Sequence, residues 1–165
     1  RLSRVALVET HTDTNARKLG VDAITHRLAA LGADLATHLH SPHREADLSA
    51  TLAGVTDAEL ILILTASATS DPQDVAPAAV RRAGGTVDRF GMPVDPGNLL
   101  FLGHLNGTPV IGLPGCVRSP ALNGADWVME RLICGVPVTA QDIAGMGVGG
   151  LLKEIPTRGR LREAK

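Results

Sequence analysis

The sequence predicts an α/β domain of three layers, with a mostly parallel central sheet held between two layers of helices. Three observations predict it. Apolar runs of strand length alternate with stretches whose apolar residues recur at helical spacing. The run from Leu60 to Leu64 is wholly apolar, as a strand buried on both faces of a sheet must be. The connections between these segments are short and carry the Gly, Pro, Asn and Asp that turns use.

The elements follow in order. Residues 4–8 read as a buried strand, followed by a polar stretch over 9–15. Over 18–31, Leu19, Ala23, Ile24, Leu28 and Leu31 recur at helical spacing, and Gly32 supplies the stop. Residues 34–40 alternate as a second strand that Pro42 ends, and 45–52 predict a helix. After the central strand, Asp74 opens a helix with Pro77 in its first turn, where a missing N–H does no harm. Residues 86–90, 99–102 and 109–113 predict strands, the last two joined by the hairpin signal Asn106-Gly107. The last helix is expected over 122–134, and a glycine-rich stretch over 145–150 precedes a basic tail. The expected organisation is therefore one domain over 1–150, with 151–165 a basic C-terminal tail or a linker to a domain not present.

Composition narrows the function classes. A chain of 165 residues that is 44% hydrophobic can bury a core without a disulfide or metal staple. A net charge of −1 argues against nucleic acid as a partner. No apolar run is long enough to span a membrane. Cys116 and Cys134 form no framework, which points to a reducing, cytoplasmic compartment. Because the chain opens with Arg1, it is expected to be a piece of something longer.

In sheets of this kind ligands bind beyond the carboxyl ends of strands, so three loops compete. The first, 65–74, is rich in small hydroxyl residues and runs from a buried strand into a helix. There it can offer N–H groups and hydroxyls to an anion. Asp71 and Asp74 would repel a bare phosphate but could bind one through Mg²⁺. A plainer reading makes Asp74 a helix cap and Ser70-Asp71 an Asx-type turn. The second loop is the glycine- and proline-rich 91–97. The third, 114–119, pairs Gly115, which admits close backbone approach, with the planar fork of Arg118 and the hydroxyl of Ser119. It also reads as an ordinary strand-to-helix connection, with Pro120 opening the following helix. His38, His40 and His43 invite a metal site but lack a fixed ligand spacing, so they read as solvent-facing or hydrogen-bonding. Cys116 reads either as a thiolate at a helix N-terminus or as a small buried residue.

Taken in this order, these loops resemble the molybdopterin-binding family that includes molybdopterin adenylyltransferase and molybdotransferase. The family's T-G-G-T-G followed by D-x-T-P-E-A corresponds to the run from Thr65 to Ala79. Here Asp74, Pro77 and the alanine after it match, while Ala66, Ser67 and Ala68 stand in the glycine-rich part. The family's P-G-x-P and L-P-G-N-P-x-S correspond to Pro96-Gly97 and to the run from Leu113 to Ser119. The runs 91–97 and 146–155 resemble a subgroup in which this domain precedes a nucleotidyltransferase-like domain.

The resemblance implies a domain that binds molybdopterin or its nucleotide form in molybdenum-cofactor biosynthesis. Thr65, Ser67 and Thr69 would line its phosphate loop and Gly115 and Ser119 border its pterin side, with Ser70, Pro96, Gly97 and the phosphate fork of Arg118 as further ligand-binding residues. Asp74 would be the catalytic carboxylate implicated in Mg²⁺ and nucleotide chemistry, with Asp71 the second candidate Mg²⁺ ligand. Without the paired glycines and with Pro42-His43-Arg44 where the adenylyltransferases carry an acid, binding is expected ahead of catalysis. Two alternatives are an active Mg²⁺-dependent adenylyltransferase or molybdotransferase and a scaffold that binds nothing. Self-association into a homo-oligomer fits all three readings.

Overall fold

A computed structural model describes residues 1–12 and 19–152. All but the first two residues of the tail expected over 151–165, and the start of the first helix, lie outside the described residues. Six strands form one sheet in the order β2-β1-β3-β6-β5-β4: β1 (Arg4–His11), β2 (Asp34–Pro42), β3 (Leu60–Leu64), β4 (Thr86–Phe90), β5 (Phe101–Leu105) and β6 (Thr108–Leu113). β1, β2, β3 and β6 run parallel, whereas β5 lies antiparallel to both β4 and β6. Since β4 opposes β5, only β5 runs against the rest. All other strands therefore end at one rim.

The helices are α1 (Leu19–Ala30), α2 (Glu45–Ala53), α3 (Val75–Arg82), α4 (Gly124–Ile133) and α5 (Ala140–Gly145). Side-chain alternation along the strands divides the core between them. Val5, Leu7, Leu60, Leu62, Ile111 and Leu113 pack with Ile24, Leu28, Val128 and Ile143 on one face. Val8, Ile61, Ile63 and Val110 pack with Leu48, Leu52, Ala76 and Val80 on the other. The expected three-layer αβα arrangement is the one observed.

Several boundaries differ from the sequence reading, each for a local reason. The strand expected from Leu99 begins at Phe101, because Leu100 turns back to donate to the Gly97 carbonyl and accepts from the Gly91 amide. The last helix begins at Gly124, not at Pro120 or Leu122, because Asn123 caps it. The Asn123 side chain accepts from the Ala125 amide, and Asp126 accepts from the Asn123 amide in return. The short helix α5 was not expected, although the same reciprocal capping by Thr139 and Asp142 marks its start. The hairpin at Asn106-Gly107 is present, with φ of 51° and 81° at the two positions, as a two-residue turn matched to strand twist requires.

Strand order reverses between β1, whose crossover leads outward to β2, and β3, whose crossover leads the other way to β4. Loops 65–74 and 114–119 leave the two strands adjacent on one side of this switch. The 145–151 stretch folds back on the 92–95 segment, where the Asp95 amide donates to the Gly150 carbonyl and Leu152 donates to that of Asp95.

Candidate ligand-binding site

The first predicted loop is braced from within. Thr65 and Thr69 are buried, and the Thr65 hydroxyl donates to the Ser67 carbonyl at 2.6 Å with the Thr69 hydroxyl 3.3 Å away. Ser67 and Ser70 face solvent. Asp74 occupies the N-cap of α3, yet its carboxylate turns away from the helix and accepts the amides of Ser70 and Asp71 at 2.7 and 3.0 Å. These amides, Ser70 first, hold the Asp74 carboxyl below the usual carboxylate range. Asp71 accepts the Gln73 amide at 2.7 Å, which is the expected Asx-type turn. Both acids thus shape the loop.

The third predicted loop is a single 3-10 turn at Gly115–Arg118. Arg118 donates from Nη2 to the Thr65 carbonyl at 2.8 Å and so closes this loop on the first. Gly115 and Ser119 are exposed beside it. A Cβ on Gly115 would meet nothing nearer than the Arg118 guanidinium at 3.5 Å, so the turn does not require glycine for packing. In the second loop, the charge of Asp95 acts on the Cys116 thiol. Burial pushes that thiol up, which removes the thiolate reading of Cys116. Pro96 follows a cis peptide bond and accepts the Gly124 amide at 2.8 Å. Gly97 is buried against Gly124 at a φ of 130°. These two residues seat the loop on the start of α4.

Two features were missing from the sequence reading. One is a relay behind Ser67. Thr10 Oγ1 accepts the Ala66 amide at 2.8 Å and lies 2.8 Å from His43 Nδ1, while His43 Nε2 lies 2.9 Å from Ser67 Oγ. A neutral imidazole satisfies every member: Thr10 donates to Nδ1, and Nε2–H donates to Ser67. The Ser67 proton is then left for a ligand. Desolvation lowers the His43 pKa against the opposing charge of Asp74, in keeping with the neutral form. The other feature is Arg27 of α1, which binds Asp126 at 2.6 Å and donates to the carbonyls of Val117, Ser119 and Ala121. It fixes the third loop from beneath. The only signal for either was an isolated charged or imidazole side chain, which sequence spacing cannot connect to its partner.

Loops 65–74 and 114–119 thus meet at one rim, with Ser67, Ser70, Gly115 and Ser119 exposed there, whereas Pro96 and Gly97 pack on the start of α4. A broad groove of about 750 Å³ between α4 and α5, lined by Trp127, Arg131, Val136, Pro137, Met146 and Val148 among others, contains none of them.

No protein-family model matches the sequence, and no curated protein matches it. Solved structures do. A molybdopterin biosynthesis MoeA protein from Pyrococcus horikosii superposes with a TM-score of 0.52 at 19% identity. The match covers 89% of this chain and 37% of that one, so the chain spans little more than a third of that relative. Molybdenum cofactor biosynthesis protein B gives 0.55 at 13% identity, over 81% of this chain and 94% of that one. A molybdopterin biosynthesis protein from Mycobacterium abscessus gives 0.53 at 13%, over 81% and 95%. These proteins share the fold of this chain. It is the fold the sequence led us to expect. Among the described residues no helix is long and apolar enough to cross a membrane.

Proposed function

We propose that this domain binds molybdopterin or its nucleotide form in molybdenum-cofactor biosynthesis, with the phosphate at the 65–74 loop and the pterin toward 115–119. The contact that carries the reading is the Arg118–Thr65 bond of 2.8 Å, which makes one rim of two loops. The names of the three structural neighbours, all of this pathway, supply the ligand class. Ser67, Ser70 and Ser119 offer hydroxyls, Thr65 and Thr69 shape the loop, and Pro96-Gly97 close the pterin side. Calorimetry with molybdopterin and with its adenylylated form tests this. Saturable heat with one ligand per chain supports it; no heat and no thermal stabilisation at high ligand would leave a scaffold.

In this reading Asp74 organises the phosphate loop, and any Mg²⁺ would reach it and Asp71 through oxygens the loop does not use. An adenylyltransferase would release pyrophosphate from ATP and Mg²⁺ in the presence of the pterin, and Asp74→Asn would abolish the release. We expect none from this domain, because Ala66 and Ser67 replace backbone-exposing glycines and His43 replaces an acid. Chemistry would then fall to a nucleotidyltransferase-like domain following residue 150, in a cytoplasmic homo-oligomer.

Ser119→Arg provides a direct test of the pocket. It adds bulk and charge at an exposed position whose own hydroxyl does no more than accept the Ala121 amide at 3.2 Å. The fold should be retained and ligand affinity should fall about tenfold or more, the equivalent of ~1.4 kcal/mol. Unchanged affinity would place the ligand elsewhere.

A further inference from the structure

We propose that Glu9, His38 and His40 form a binding site for one divalent transition-metal ion of the Zn²⁺ class, on the edge of the sheet between β1 and β2. The parallel register sets Leu7 beside His38 and Glu9 beside His40, which brings all three side chains to one face. An irregularity between Val5 and Ala6 shifts the pairing, so that Leu39 turns to the opposite core and the two histidines share the outer position. His38 Nε2 lies 2.7 Å from Glu9 Oε2. The imidazole centroids are 4.5 Å apart with planes inclined at 54°. One donor atom from each residue falls within 4.8 Å of the other two.

A tetrahedral ion with ligand bonds of about 2.0–2.2 Å separates its donors by about 3.3 Å. The Glu9–His38 donors, at 2.7 Å, are closer than that and every donor pair lies within 4.8 Å, so modest side-chain rotations suffice. The donor set selects the class of ion. Two imidazoles and one carboxylate suit Zn²⁺, Co²⁺ or Ni²⁺, whereas Mg²⁺ and Ca²⁺ prefer oxygen alone. The carboxylate is also preset. Glu9 is 8% exposed and lies under the first turn of α1, where a Cβ on Gly20 would come within 2.5 Å of its Oε1. His38 and His40 face solvent, which gives the ion a way in and leaves its fourth position for water. This site owes nothing to the pterin pocket: neither Asp71 nor Asp74 belongs to it.

Protein stripped with chelator and titrated with Zn²⁺ by calorimetry, and with Co²⁺ by visible absorption, tests the site without any pterin. We expect one ion per chain, the intense visible bands of tetrahedral Co²⁺ and a raised melting temperature. His38→Gln and His40→Gln should each weaken binding by more than about tenfold, a loss that even outer-shell partners of a metal can bring. His104→Gln, at the separate His104–Asp88 pair, should change nothing. Both histidines are exposed, so these variants fold even if Glu9→Gln does not. Absence of stoichiometric uptake, or uptake that survives the His38→Gln/His40→Gln double substitution, would overturn the proposal and leave a hydrogen-bonded Glu–His pair only.

Discussion

Glu59 shows how much one side chain can do from the surface. It stands just before β3, and its Oε2 accepts the amides of Ser3 and Arg4 and the Ser3 hydroxyl, at 2.8, 2.9 and 3.0 Å. These bonds tie the start of β3 to the start of β1 and hold the Glu59 carboxyl down to about 2. A carboxyl whose folded pKa is depressed stabilises the fold above its unfolded value and ceases to as it protonates in the native state. The Glu59 contribution is therefore complete above pH 4.5 and disappears as pH falls toward about 2. Denaturant titrations of the parent and of Glu59→Gln should show the variant less stable at neutral pH, with the gap closing across that window. A gap independent of pH would mean that Glu59 acts by shape alone. Arg118 makes the parallel case at the rim. Arg118→Met removes the charged donor to the Thr65 carbonyl and should cost about 1 kcal/mol or somewhat more. Amide exchange over residues 66–70 should accelerate more than exchange in the strands, and uniform exchange would deny the bond a role in ordering the loop.

At the scale of elements, what the sequence revealed depended on how local the causes were. β3 was plain because five buried apolar residues leave no other reading. The helix over 19–30 was plain because apolar spacing agreed with Gly32, which has a φ of 68° past the end of α1; that over 75–82 was plain from Asp74 at its start and Pro77 in its first turn. The 91–100 segment was harder. Leu99 and Leu100 look like strand, but Leu100 is committed to a turn whose partners, Gly91 and Gly97, are set by tertiary packing. Gly97 decides that packing. It adopts a φ of 130°, and a Cβ there would come within 2.5 Å of the Gly124 nitrogen and 2.8 Å of its Cα. Both contacts are to backbone, which cannot swing aside. Gly97→Ala should therefore destabilise by roughly 2–4 kcal/mol, combining the strain of a conformation side chains avoid with overpacking. Gly107→Ala, at a φ of 81° but with open space around it, should lose only the strain portion. Equal melting temperatures for the two variants would show that contact with Gly124 does not hold the loop.

Across the whole molecule, the sheet order was beyond the reach of the sequence, since pairing partners far apart leave no periodic trace. The rim was inferable only because parallel connections place successive loops at the same edge. Its fastening was not, for Arg27 gave no sign of reaching across 99 residues to Asp126. That pair stitches α1 to α4, and both side chains are nearly closed to solvent, at 12% and 10% exposure. Asp126 also accepts the Asn123 amide that begins α4, so one carboxylate serves both the cap and the long-range tie. Arg27→Met would leave Asp126 buried without its cation and release the carbonyls of Val117, Ser119 and Ala121. Breaking one side of a buried pair typically costs about 3–5 kcal/mol, and we expect a loss near the lower figure because some water reaches the pair. Adding Asp126→Asn should recover part of this, since the amide can still accept the Asn123 N–H without carrying an unpaired charge. A double variant as unstable as the sum of the two single variants would mean that Arg27 and Asp126 stabilise the fold independently. The 117–121 loop would then be held to α1 by the carbonyl bonds alone.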